Sequence, residues 1–183
     1  TGGDLAAGAA SCTITLDVTS TTAGSYTNGA ANVSATGLDL PGTSTLDVTM
    51  PPAFDCATPK VFIGNRDNTV LDQQIQDDAG GSSFVNIAAA QGWTYNALGY
   101  NPVDNLLYAM SVVPRGAASK PAGHLLIIGA DGVVYDQGVI SGVPAPSINN
   151  INVGTFDDSG NYWITPSAAS GNNGNGMVYK LDV

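Results

Sequence analysis

The middle of the chain alternates short apolar runs with turn-forming residues. This pattern predicts four strands, at residues 97–100, 106–113, 124–129 and 133–139. The dipeptide Asp131-Gly132 between the last two favours a tight hairpin, since a two-residue turn of type I′ needs positive φ at both central residues. Four strands joined by short turns predict one antiparallel sheet, the size of a propeller blade.

Part of this pattern occurs again 55 residues further on. Residues 99–114 (GYNPVDNLLYAMSVVP) align with residues 154–169 (GTFDDSGNYWITPSAA), and Tyr108 falls over Trp163. Repeated sheets pack against their neighbours in repeated ways. We therefore expect these two aromatic residues to occupy equivalent buried positions.

The strands on either side of the central four predict two further sheets. Before them we predict strands at 61–64, 69–75 and 84–88, assigned as the second to fourth strands of a blade whose first is absent. After them we predict 153–156, 162–165 and 177–181. No window shows the apolar spacing of an amphipathic helix, so the predicted class is all-β. Residues 51–183 would then form a propeller-like domain of about two and a half to three four-stranded blades, an incomplete ring.

Residues 1–50 form a separate predicted region, rich in Thr, Ser, Gly and Ala. Strands are expected at 11–20, 24–35 and 43–50, and Pro51-Pro52 marks the boundary because proline lacks an amide proton and ends a strand. The phrases LAAGAASCTIT (5–15) and TAGSYTN (22–28) resemble the end of immunoglobulin-like repeats of large bacterial surface proteins. The resemblance implies a partial sandwich, truncated to three strands where about seven are needed.

A second resemblance covers the rest of the chain. From Asp55 onward, and above all in YNALGYNPVDNLLYA (95–109), the sequence is similar to an uncharacterised propeller-like domain of secreted bacterial proteins. That domain often follows the repeats just described. The resemblance implies architecture and a secreted or cell-surface location, but no activity.

The acidic residues point to turns and to an extracellular setting. All fifteen are Asp, which favours turns and caps, and five basic residues leave a net charge of −10. Nucleic acids and anionic membranes need clustered Lys or Arg, so neither is an expected partner. No apolar run reaches the roughly 18 residues of a membrane span. Thr1 is not a natural start, so we expect a removed export signal or more chain upstream.

The two cysteines, Cys12 and Cys56, are expected to be oxidised in an exported protein. Pairing with each other would close a loop of about 44 residues and contribute roughly 4 kcal/mol by chain entropy. The alternative is that each pairs with a cysteine outside this sequence.

Candidate chemistry is sparse. His124, the only histidine, begins an apolar strand, and no Ser lies in a nucleophile turn, so no catalytic residue and no enzyme is predicted. Cofactors are not expected, apart from calcium held by the oxygen-rich turn with Asp157, Asp158 and Asn161, where hydrogen bonding within the turn is the simpler interpretation. Trp93 and Tyr95 are candidates for a glycan platform.

The predicted function is a non-enzymatic structural or adhesive module of a bacterial surface protein. Its partners would be other copies of itself, self-assembling through unpaired strand edges into a filament or array, or flanking domains of a longer chain. The alternative is a propeller-type binding module that recognises glycan or protein.

Overall fold

The computed structural model describes residues 20, 22–34, 40, 42–55, 57, 60–65, 67–76, 79–143, 150–166 and 177–183. Within these ranges the all-β prediction is confirmed, since the regular elements that lie wholly inside them are twelve strands and one three-residue 3-10 helix. No helix in these ranges has the length and apolar character to cross a membrane. The chain divides into two compact units, Thr1–Met50 and Pro51–Val183.

The first unit contains one described hairpin. Strand β1 (Gly24–Asn28) pairs antiparallel with β2 (Ser44–Val48), and Tyr26 lies opposite Leu46. The predicted strand 24–35 is too long, because the chain turns after Asn28 into a 3-10 helix, Ala30–Asn32. All but the last residue of the predicted strand 11–20 lies outside the described residues.

The second unit contains three antiparallel sheets in which every strand pairs with its neighbour in the chain, and their three, four and three strands match the prediction. They are β3 (Phe62–Asn65), β4 (Val70–Gln76) and β5 (Ser82–Asn86); β6 (Tyr95–Asn101), β7 (Leu106–Ser111), β8 (His124–Ile128) and β9 (Val134–Val139); and β10 (Ile151–Phe156), β11 (Asn161–Pro166) and β12 (Tyr179–Asp182). We call them the first, middle and third sheets.

The assignment of β3 as a second strand is wrong. Both β3 and β10 contact β6, and β6 and β10 are the first strands of their sheets. The close approach depends on Gly64, where an added Cβ would lie 3.4 Å from the Tyr95 ring. The next strand, β4, places Leu71 in a core with Leu107 of β7, as the second strand β11 places Tyr162 beside Tyr108, so β3 occupies the place of a first strand.

The middle sheet is buried on both faces because its side chains alternate between two hydrophobic cores. Leu106, Tyr108 and Met110 of β7 pack toward the third sheet, in a cluster with Ile151, Tyr162 and Ile164. Leu107 and Ala109 face the other way, toward a cluster that contains Phe54, Leu71, Leu126 and Ile128. The outer sheets, in contrast, share only one face each with the middle sheet.

The expectation of equivalent buried places for Tyr108 and Trp163 is wrong for Trp163. Tyr108 is 4% exposed, and its ring centroid lies 5.0 Å from that of Phe156 in the third sheet. Trp163 lies between buried Tyr162 and Ile164 on β11, so its side chain points away from the middle sheet and is 36% exposed. Each ring lies on the face of its own sheet that is turned away from the first sheet. The third sheet covers Tyr108, but no described strand covers the outer face of the third sheet, where Trp163 lies.

One kind of turn recurs at several of the Asp residues in this chain. The Oδ1 atom of Asp131 accepts a hydrogen bond from the amide of Val133, two residues on, at 3.0 Å. The same turn occurs at Asp55, Asn101, Asp104, Asp136 and Asp157. The short Asp side chain reaches its own backbone in this way.

The Asp131-Gly132 hairpin is present, but its turn is not the predicted type. Of the two residues only Gly132 has positive φ, at 72°. The Gly132 amide donates to the Gly129 carbonyl at 2.9 Å. The connection therefore needs left-handed backbone at the glycine alone.

Candidate functional site

A polar cleft of about 230 Å³ lies where the first strands of the three sheets come together. Its wall comes from the β3–β4 connection, the start of β6, the segment after β7 and the start of β10. The lining residues are Gly64, Asp67, Thr69, Thr94, Tyr95, Asn96, Val112, Arg115, Asn150 and Asn152.

Hydrogen bonds between these segments fix the wall of the cleft. The Thr69 hydroxyl accepts from the Tyr95 amide at 3.1 Å, and the Asn96 side-chain amide donates to the Asn152 side chain at 3.0 Å. The Thr94 hydroxyl donates to the Asp67 carbonyl and accepts from the Arg115 amide. The cleft is thus a built feature in which hydroxyl and amide groups from four segments converge.

The charged groups of the cleft are Asp67 and Arg115, both exposed. No ion pair joins either of them to another described residue. A guanidinium, a carboxylate and several amides suit a small polar ligand rich in hydroxyl groups. No nucleophile is paired with a base among the residues that line the cleft.

The two residues predicted as a glycan platform are core residues instead. Trp93 is 4% exposed and Tyr95 7% exposed, and both belong to the cluster between the first and middle sheets. Burial, and then the charge of Asp72, raise the pKa of the Tyr95 hydroxyl well above its usual value. Tyr95 also lines the cleft, whereas Trp93 does not.

The single histidine makes a pair with a carboxylate but does not form a catalytic triad. His124 Nδ1 lies 2.8 Å from Asp136 Oδ1, and its ring packs on Trp93 with centroids 5.9 Å apart. The nearby Ser111 hydroxyl accepts from the His124 main-chain amide, and Ser111 is fully buried. A triad needs the hydroxyl on the second ring nitrogen and open to substrate.

The turn proposed as a calcium site has its main carboxylate fully engaged by N–H donors. Asp157 Oδ1 accepts from the amides of Ser159 and Asn161, and Oδ2 accepts from the Asn161 side chain and from Trp163 Nε1 at 2.9 Å. These bonds, the one from Trp163 first, lower the pKa of Asp157 far below its usual value. Asp158 makes none of these contacts.

A metal ion would have to displace those donors to reach Asp157. Among the described residues no three His, Cys, Asp or Glu side chains lie close enough to share a metal ion. The geometry therefore favours a hydrogen-bonded turn.

The predicted disulfide cannot be placed, because Cys12 and Cys56 both lie outside the described residues.

We expect Asp157→Asn to lower the melting temperature at neutral pH, because the amide cannot accept at both former oxygens. The folded pKa is depressed, so the carboxylate stabilises the fold above the unfolded value near 4 and this contribution is lost as the pH falls through the folded value. The difference from wild type should therefore shrink in acid. Thermal scans between neutral and acid pH test this, with Asp158→Asn as the matched control. An equal effect of the two substitutions would contradict the role of Asp157.

Sequence reasoning missed the cleft. Asp67, Asn96, Arg115 and Asn152 carry no motif and come from segments far apart in the chain. The only available signal was the placement of Asn96 and Asn152 near the start of strands that the repeat had marked as equivalent.

Comparisons with known proteins give two family matches. Residues 62–183 match a family described as a repeat of unknown function (DUF6923), and residues 1–49 match a domain of unknown function (DUF7933). No curated protein and no solved structure matched the chain. Neither family description names an immunoglobulin-like or a propeller fold. Because the first match spans more than half of the sequence, the chain belongs to the DUF6923 repeat family.

Proposed function

We propose that this chain is a non-enzymatic structural module of a secreted or cell-surface protein, in which further sheets pack on the outer faces of the first and third sheets. The modules would build a propeller-like or open array of sheets, with the immunoglobulin-like segment as a neighbouring unit. Other copies or flanking domains would supply the additional sheets.

The observation that carries this proposal is the contrast between the sheets. The middle sheet has cores on both faces, and every residue of its strand β7 is buried. The outer sheets leave apolar residues exposed on their free faces, among them Ile63, Phe84, Val153 and Trp163. Contiguous exposed apolar groups on a sheet mark a surface made for packing.

Charge and composition are consistent with a role outside the cell. The net charge of −10 keeps an exposed protein soluble and disfavours binding to nucleic acid. The resemblance to repeats of bacterial surface proteins points the same way.

The polar cleft favours a second candidate, a module that binds a small glycan. Its hydroxyl, amide and guanidinium groups converge on about 230 Å³, enough for one sugar ring. This candidate needs no exposed aromatic platform.

A glycan array combined with negative-stain imaging separates the two candidates. The structural module predicts no sugar binding that depends on the cleft, together with assembled particles when the chain is concentrated or joined to its neighbours. Reproducible binding to one sugar class that is lost in Arg115→Ala would instead establish the binding module. Lys60→Ala is the matched control, because Lys60 carries the same charge and does not line the cleft.

A further inference from the structure

We propose that the outer face of the third sheet binds the outer face of the first sheet in a second copy of this chain, head to tail. This inference rests on the proposed function and names the partner. The Trp163 face consists of Val153, Thr155, Trp163, Thr165 and Lys180 on the third sheet. The Phe84 face consists of Val61, Ile63 and Phe84 on the first.

The Trp163 face is a fixed aromatic surface. Trp163 lies opposite Thr155 on one side and Lys180 on the other, which puts all three on one face of the sheet. The indole is held by its hydrogen bond to Asp157, and Lys180 Nζ lies 6.0 Å from the ring centroid. Val153 is 57% exposed beside it. A rigid aromatic group loses little entropy when a partner covers it.

The Phe84 face follows from the strand register. Ile63 lies opposite Asp72, and Phe84 lies opposite Gln74, two residues further along the same strand. The Val61 carbonyl accepts a hydrogen bond from the Gln74 amide, which places Val61 opposite Gln74. The side chains of Val61, Ile63 and Phe84 therefore project from the same face of the sheet. Leu71 and Phe62 point to the other face, into the core shared with the middle sheet. Phe84 is 47% exposed.

The direction of stacking within the chain identifies the occupant. At each junction between two sheets of the chain, the earlier sheet contributes the face on its C-terminal side, and the later sheet contributes the face on its N-terminal side. The Trp163 face is the C-terminal side of the third sheet. The Phe84 face is the N-terminal side of the first sheet. A head-to-tail contact between copies therefore continues the same stacking, whereas a contact between two like faces does not.

Charge supports the same pairing. The chain has five basic and fifteen acidic residues, so copies repel one another over most orientations. Lys180 places one of the few positive charges on the Trp163 face.

The test is sedimentation velocity of the purified chain, of Trp163→Asp, of Phe84→Asp and of their mixture. The wild type should associate with rising concentration, and each variant should associate about a hundredfold more weakly, as expected when a large aromatic at a contact is lost. Each variant keeps one intact face of a different kind. An equimolar mixture should therefore form one-to-one dimers and no larger species.

The control is Val139→Asp, which introduces the same charge at a residue that is 67% exposed and belongs to neither face. It should associate like the wild type, and circular dichroism should show that all variants are folded. A wild type that stays monomeric overturns the head-to-tail contact, although the proposed function survives if flanking domains supply the sheets. Association that survives either substitution, or variants that fail to complement each other, also overturns it.

Discussion

A Gly154→Ala substitution is expected to lower the free energy of unfolding by roughly 3 kcal/mol, as overpacking of a tight core does. Gly154 lies on β10 where the third sheet meets the middle one. An added Cβ would lie 2.6 Å from the Tyr162 hydroxyl oxygen, and closer still to the carbonyl oxygen of Ala97. Main-chain atoms of a packed sheet cannot retreat, so the two sheets would have to separate. Urea unfolding followed by circular dichroism measures the effect.

Two other glycines turn this prediction into a ranked series. At Gly99 a Cβ would come within 3.2 Å of the Phe156 and Tyr162 rings, which can shift slightly, and the expected loss is about 1 kcal/mol. At Gly42 a Cβ meets nothing within 4 Å, so that alanine variant should match the wild type. A Gly154→Ala protein as stable as Gly42→Ala would show that the sheets are not packed as described.

The second large effect is expected at Tyr162, which is fully buried in the same core. Its ring stacks on Phe156 with centroids 4.7 Å apart, and its hydroxyl donates to the Ala97 carbonyl. Tyr162→Ala should cost about 3–5 kcal/mol, the range for large aromatic side chains removed from cores. Tyr162→Phe keeps the ring but removes the donor, so it should cost about 1–3 kcal/mol.

Tyr135→Phe is the control for the hydroxyl. Its hydroxyl bonds to Asp131 at 3.3 Å in an exposed setting, where loss of the bond should change stability by less than about 0.5 kcal/mol. If Tyr162→Phe is equally silent, the bond to Ala97 does not hold the sheets together. Ala97 has a left-handed φ of 57° at the bulge in β6, so this bond also secures an unusual backbone.

Much of the architecture was accessible from the sequence because strand formation here is local. Apolar alternation and turn residues located all ten strands of the second unit, with bounds within a few residues. The placement of Asp in turns was also predictable from local structure, because these carboxylates accept hydrogen bonds from amides two residues further on.

Which side chains are covered was not accessible, because it depends on neighbouring sheets. Trp93 and Tyr95 could have formed an exposed platform, but the first sheet packs over them. Trp163 repeats Tyr108 in the sequence, but the third sheet packs over Tyr108, whereas no strand among the described residues packs over Trp163. The cleft depends on Asp67, Arg115 and other residues from four segments, and no local pattern encodes their meeting.

The pairing of every strand with its neighbour in the chain has a kinetic consequence. The four-stranded sheet is complete within Tyr95–Val139, so it closes no long loop as it forms. Folding rates fall as contacting residues become more distant in sequence, and pairing between neighbouring strands keeps the contacts within each sheet local. We therefore expect the hairpins of each sheet to form before the sheets pack on one another, with folding spreading from one sheet to the next as in other repeat architectures.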